Sequence, residues 1–284
     1  MHAHSKTASE TFVIDGEHGD YEIHVCLPVT YAKRPDARYP VLYALDANLI
    51  YGSVCDSVRI ASLARVLYPN LELHGPGVPE MIVVGIGYPG KDPEALARET
   101  TMRRIYDFTG RVAPGAPLQE HCYQVSPDYK FGGAHAFLEM LTATVRARIE
   151  STYRVEESTR ILFGGSAGGH FTTFAMLSRP EAFTHYIIAS PAVELCGDDI
   201  YALEAQYAKT HDDLKAKVFI SFGSRELAGM AGISIASSTA RLFESLLKRG
   251  YPGLQLHECI LQGEGHEGAV PAALTRGLET LLGA

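Results

Sequence analysis

The sequence predicts an α/β fold with a mostly parallel, twisted sheet and helices on both faces. Short apolar runs recur along the whole chain, and helix-like stretches separate them. No repeat, low-complexity tract or Pro/Gly/Ser linker divides the sequence, so residues 1–284 read as one domain.

In chain order, residues 11–15 and 20–28 alternate in polarity around Asp15-Gly16-Glu17-His18-Gly19, the signature of a hairpin and hence of an antiparallel N-terminal edge. Tyr39–Leu45 and Met81–Ile86 are apolar without interruption, as strands covered on both faces are. Arg160–Phe163, Tyr186–Ala189, Lys217–Ser221 and Leu254–Ile260 repeat the theme. Helices are expected over 56–67, 134–152, 167–178, 235–249 and 270–282. In 235–249 the apolar residues recur every three or four positions, and Gly250 follows as a stop. Two stretches, 48–80 and 106–133, exceed what simple connections need and are expected to form a cap or pocket walls.

Composition narrows the function. Of 284 residues 46% are hydrophobic and 20% charged, which is ordinary for a globular chain. The net charge of −8 disfavours a nucleic-acid scavenger or a polybasic membrane binder. No window approaches the ~18 unbroken apolar residues of a spanning helix. The opening residues lack a charged-then-apolar leader pattern, so a cytoplasmic location is expected. Cys26, Cys55, Cys122, Cys196 and Cys259 are scattered, which argues against a disulfide framework or zinc knuckle. Neither metal nor cofactor is expected. Gly85-Ile86-Gly87-Tyr88-Pro89-Gly90 satisfies G-x-G-x-x-G, but Pro89 and Pro93 bracket the helix start, and no strand ending in an acid follows at the spacing of a dinucleotide site.

The chemistry is carried by Gly164-Gly165-Ser166-Ala167-Gly168, a G-x-S-x-G between an expected strand and an expected helix. A serine on so tight a turn presents its hydroxyl at the carboxyl edge of the sheet. The Ala167 amide, at the helix start, faces the place where an oxyanion would develop. A serine needs a base. Among 12 histidines, His266 follows the last strand in a glycine-flanked loop, Gly263-Glu264-Gly265-His266. His257 lies inside a strand pattern, and His170, one turn past the serine, reads first as a packed residue. The orienting acid is expected at Glu226, past the penultimate strand, ahead of Asp198 and Asp199, which read as an exposed loop, and of Glu264. The resulting order Ser166, Glu226, His266 is that of the α/β-hydrolase pattern. The second oxyanion donor is expected from the amide of Asn48, with Ala47 next.

These residues carry a resemblance. The chain resembles the esterase family of α/β-hydrolases that includes esterase D and the enterochelin esterases, from Tyr39 to the C-terminus. Its landmarks are Tyr39–Asp46, Val84-Gly85-Ile86-Gly87-Tyr88, Arg103-Arg104 with Asp107-Phe108-Thr109, and Gly132-Gly133 with Phe137-Leu138. Further on they are Tyr153-Arg154-Val155, Gly164–Gly169, Arg179–Phe183 with Ser190-Pro191, and His266-Glu267 with Val270–Leu274. The resemblance implies cofactor-free serine hydrolysis of carboxylic esters, with the triad on Ser166, Glu226 and His266. It departs at Ala47, where relatives often carry glycine, and at Ala192–Cys196, where relatives often carry aromatic residues; the chain has no Trp. Arg98, Arg103, Arg104 and Arg111 are candidates for holding an anionic siderophore, against solvated charges or structural ion pairs. Tyr51, Tyr68, Tyr106, Tyr123 and Tyr129 are candidates for pocket walls, against plain packing.

The expected function is therefore hydrolysis of a small-molecule carboxylic ester through an acyl-enzyme. A siderophore esterase, and a thioesterase or acyltransferase with the same triad, are alternatives; a non-catalytic binding module ranks last. Nucleic acid and membrane are not expected partners, and a homo-oligomer is left open.

Overall fold

Burial on both faces is what the central strands share. In the computed structural model, which describes residues 9–67, 77–90, 92–113, 116–228 and 234–283, β3 (Tyr39–Ala44), β4 (Ile82–Gly87) and β6 (His185–Ala189) are buried at every position. β5 (Val155–Gly165) is buried over its last five residues and β7 (Ala216–Gly223) over nearly all of its length. β1 (Ser9–Ile14), β2 (Tyr21–Cys26) and β8 (Leu254–Leu261) complete one eight-stranded sheet in the order β1-β2-β4-β3-β5-β6-β7-β8. β1–β2 and β2–β4 pair antiparallel, and every other pair is parallel.

Helices cover both faces. On one side α1 (Ala47–Leu67) packs against α9 (His266–Leu282) over Leu42, Ala44, Val83, Phe163 and Phe219. On the other lie α2 (Pro93–Phe108), α6 (Ala167–Ser178), α7 (Asp199–Thr210) and α8 (Ile235–Arg249). α4 (Ala134–Glu139) runs through a π-helical turn (Met140–Val145) into α5 (Arg146–Thr152) on that same side. There Phe108, Phe137, Phe171 and Phe174 form a chain of ring contacts. α8 ends as expected, with Gly250 in the left-handed conformation (φ 64°). α3 (Pro117–Val125) connects α2 to α4.

Three helices, α2, α3 and α7, lie outside the helical stretches expected from the sequence. α1 begins at Ala47 rather than 56. Its first turns, with Asn48, Tyr51, Gly52 and Ser53, are weak helix formers, and tertiary contacts override propensity. One such contact is the Asn48 side chain, which accepts from the Tyr88 N–H (2.7 Å) and donates to the Tyr88 carbonyl (2.9 Å). α9 begins at His266 rather than 270, so Pro271 lies inside the helix and not at its start. Asp198 is exposed, but Asp199 opens α7 and is half-buried, so the expected loop at these residues is a helix start.

α2 is bound to the sheet by polar anchors. Arg104 donates from Nε and Nη2 to the two carboxylate oxygens of Asp46 (2.7 and 2.8 Å), with both side chains largely buried. Asp107 accepts from the hydroxyls of Tyr21 and Tyr88, each at 3.0 Å. Asp46 itself has φ 57°, a conformation that non-glycine residues seldom hold without outside support. Removing one member of a buried pair leaves an uncompensated charge. Arg104→Ala is expected to lower stability by about 3–5 kcal/mol in chemical denaturation. Arg103→Ala removes bonds to the Gly19 and Asp20 carbonyls and the guanidinium's contacts over the Tyr21 and Tyr88 rings, but leaves the Arg104–Asp46 pair intact, and should cost less.

Candidate active site

The turn at Ser166 is held by backbone bonds on three sides. Its N–H donates to the Ala189 carbonyl (3.0 Å), and its own carbonyl accepts from the N–H groups of His170 and Ala192 (3.0 Å each). Ser166 has φ 58° and ψ −121°, a strained reversal between β5 and α6. A side chain at Gly164 would run into the Gly168 carbonyl and the Thr172 hydroxyl, so the glycine two residues before the serine is a steric requirement.

Glu226 opens a short 3₁₀ turn after β7, and its side chain is 4% exposed. Oε2 accepts from the Ser190 hydroxyl (2.7 Å) and the Gly223 N–H (2.5 Å), and Oε1 lies 2.5 Å from His266 Nδ1. Burial opposes ionisation of Glu226, but the bonds from His266, Ser190 and Gly223 outweigh it and hold its pKa below the ordinary value. Since a carboxylate only accepts, His266 Nδ1 carries the hydrogen. That leaves Nε2 as the nitrogen free to act as a base.

His266 and Ser166 line one cavity of about 400 Å³. Its walls are largely apolar, with Leu49, Ile50 and Val54 from α1 and Val270, Pro271 and Leu274 from α9. Arg104 also reaches the wall, its guanidinium already engaged by Asp46. Among the described residues no direct Ser166–His266 hydrogen bond is formed; such contacts commonly tighten only when substrate binds. Ala167 is the first residue of α6 and Asn48 the second of α1. Amides at these positions have no intrahelical partner and are available to an anion.

Other expected residues lie elsewhere. His266 is not on a loop: it is the first residue of α9. His170 is wholly buried and faces the Ala192 carbonyl (3.1 Å). Glu264 and His257 border a separate surface hollow beside β8. Arg104 and Arg103 are engaged by Asp46 and by loop carbonyls, and Arg111 borders another cavity, by α7. The Arg98 side chain and Tyr68 fall outside the described residues. None of Tyr51, Tyr106, Tyr123 and Tyr129 is on the wall around Ser166. Tyr51 instead packs on His24, and Tyr106 on His18. Ser190 was not singled out for a role, although it follows the strand beside the serine turn, and with φ 42° it aims its hydroxyl at Glu226.

A family model described as Putative esterase matches residues 109–236. The ferri-bacillibactin esterase BesA of Bacillus subtilis (strain 168) is 27% identical over 266 residues, which cover 94% of this chain and 86% of the relative. The siderophore triacetylfusarinine C esterase of Aspergillus fumigatus is 27% identical over 225 residues, 77% of this chain and 68% of the relative. The solved siderophore hydrolase EstA from Aspergillus nidulans has a TM-score of 0.81 at 24% identity, covering 99% of this chain and 96% of its own. With its strand order and serine turn, the chain has the α/β-hydrolase fold. Within that fold its residues 109–236 match the esterase family model, and the chain is a carboxylic ester hydrolase. Among the described residues, no helix is long and apolar enough to cross a membrane.

The depressed Glu226 pKa has a stability consequence. Its stabilisation is complete above the ordinary carboxylate pKa of about 4.3 and is lost as the pH falls through the lower folded value. Thermal melts from pH 7 to 3 are expected to show a shallower acid decline for Glu226→Gln than for the wild type.

Proposed function

We propose that Ser166 is the nucleophile, His266 its general base and Glu226 the group that orients the imidazole. The observation that carries this reading is the Glu226–His266 pair at the edge of the cavity that also holds the strained Ser166. Ser166 Oγ attacks the ester carbonyl as His266 Nε2 takes its proton. The tetrahedral oxyanion is bound by the amides of Ala167 and Asn48. His266 then protonates the leaving alcohol, and the acyl-enzyme remains. Water, deprotonated by the same imidazole, releases the acid and restores Ser166. Glu226 keeps the hydrogen on Nδ1 and stabilises the transient imidazolium.

The substrate is an ester-linked siderophore, a reading supported by relatives whose names specify ferri-bacillibactin and triacetylfusarinine C. The apolar walls from α1 and α9 suit the aliphatic part of an ester. We read the sheet and its helices as one domain, and a homo-oligomer stays open. Free thiols at all five cysteines support a reducing, cytoplasmic setting.

Intact mass after fluorophosphonate treatment tests the nucleophile: one adduct on the wild type and none on Ser166→Ala is expected. Turnover of a p-nitrophenyl ester should fall about a million-fold in Ser166→Ala and by two to four orders of magnitude, roughly, in Glu226→Gln. An adduct that persists in Ser166→Ala would overturn the assignment. Hydrolysis of the aryl ester with no cleavage of ferri-bacillibactin or triacetylfusarinine C would retain the triad and remove the siderophore reading.

A further inference from the structure

On the side of α6 away from the cavity just described, three donors of different chemistry converge. Among the described residues, His170, Cys196 and Asp199 bring one nitrogen, one sulfur and one carboxylate oxygen within 4.8 Å of one another. They come from three separate segments: the first turn of α6, the connection after β6, and the first residue of α7. Their spacing in sequence matches no metal-binding motif, which is why the chain alone gave no sign of them.

The hydrogen bonding at His170 limits what can lie between these donors. Its Nδ1 is 3.1 Å from the Ala192 carbonyl, which only accepts, so Nδ1 carries a hydrogen. The other ring nitrogen, Nε2, is wholly buried, has no hydrogen-bond partner, and lies 3.3 Å from Asp199 Oδ2, another acceptor. Asp199 Oδ1 also lacks a partner. With a neutral ring, Nε2 and Oδ2 would both present lone pairs out of water, so either a proton or a cation must lie between them. A ring N–H donated to a backbone carbonyl is, moreover, the arrangement that fixes metal-ligating histidines in the required tautomer.

We propose that His170 Nε2, Cys196 Sγ and Asp199 Oδ2 form a binding site for a divalent transition ion of the zinc class. An imidazole, a thiolate and a carboxylate suit zinc or cobalt and are poor for magnesium or calcium, which take oxygen ligands. Tetrahedral zinc keeps its ligand atoms about 3.3–3.8 Å apart. The His170–Asp199 distance already lies in that range, and the wider spacing closes by about 1 Å of side-chain movement. A fourth position faces a cavity of about 530 Å³ bordered by Cys196 and Asp199, with Arg111 and His135 on its walls, through which the ion and a water ligand enter. Binding deprotonates the Cys196 thiol and leaves His170 neutral; the displaced protons go to solvent, and no electron is transferred.

The competitor for this place is a proton. Burial disfavours a charged His170, but Asp199 and the Cys196 sulfur outweigh it and push its pKa up to about 10, so an imidazolium–carboxylate pair holds the metal-free protein together. The ion would tie the start of α6 to the loop after β6 and to α7. The N–H groups of His170 and Ala192 both donate to the Ser166 carbonyl, so the tie would stiffen the serine turn from behind without touching substrate.

Cobalt supplies a test that does not depend on activity. The full-length protein, stripped with chelator and titrated with Co²⁺, is expected to bind one equivalent. It should then show the visible bands of tetrahedral cobalt and a thiolate-to-cobalt charge-transfer band. Cys196→Ser should abolish the charge-transfer band, and Asp199→Asn should weaken zinc affinity, measured by chelator competition, about a hundredfold. Both variants are to be compared with the wild type by circular dichroism, and zinc should raise the melting temperature of the wild type alone. Absence of cobalt bands in the folded wild type would overturn the site and leave the proton in possession. An unchanged charge-transfer band in Cys196→Ser would do the same.

Discussion

The carboxyl edge of the sheet depends on one constraint, the reversal of the backbone at Ser166. Left-handed dihedrals at a serine persist only where neighbouring structure outweighs their cost. Here the neighbours are Ala189, which accepts from the Ser166 N–H, and Ala192 and His170, which both donate to the Ser166 carbonyl. The requirement reaches further: Gly168 passes so close that a Cβ would sit 3.1 Å from Asp46 Oδ2. Asp46 is in turn locked by Arg104 from α2. The serine turn, the start of α1 and the seat of α2 are thus one mechanical unit.

Glu226 is fixed in the same manner. Two adjoining parallel strands, β6 and β7, end side by side, and each delivers a donor to Glu226, a hydroxyl from Ser190 and an amide from Gly223. With Oε2 saturated, Oε1 is directed at His266. The imidazole therefore inherits its orientation from the register of the sheet rather than from its own helix.

What the sequence disclosed follows from this. Fully buried parallel strands leave unbroken apolar runs, so their existence could be read directly, whereas the crossing of β3 and β4 in the sheet could not. The serine turn was legible because its steric needs are met by glycine, and the Glu226–His266 pair because each residue follows a strand whose apolar run is itself legible. Hidden from the sequence were features made by tertiary contact alone. α2 is attached by Arg104 and Asp107, polar residues that look like surface in any periodicity. The early start of α1 rests on the Asn48–Tyr88 bonds. Pro271 within α9 disguised the helix that carries His266. Ser190 left only a Ser-Pro pair, with no sign of what its hydroxyl touches.

The pairing of β3 with β5 bears on how the protein is made. Leu42 lies opposite Ile161 and Ala44 opposite Phe163, so the middle of the sheet joins segments separated by more than a third of the chain. Such distant partners close slowly, because the intervening loop must surrender its entropy before any contact compensates. On the ribosome, the N-terminal hairpin and β3 must therefore wait, with an apolar flank unsatisfied, until β5 has emerged. Even then the serine turn lacks the Ala189 carbonyl until β6 follows. A nascent chain stalled before that strand has Ser166 but not the reversal that holds it, so the serine turn is one of the last features to form during synthesis.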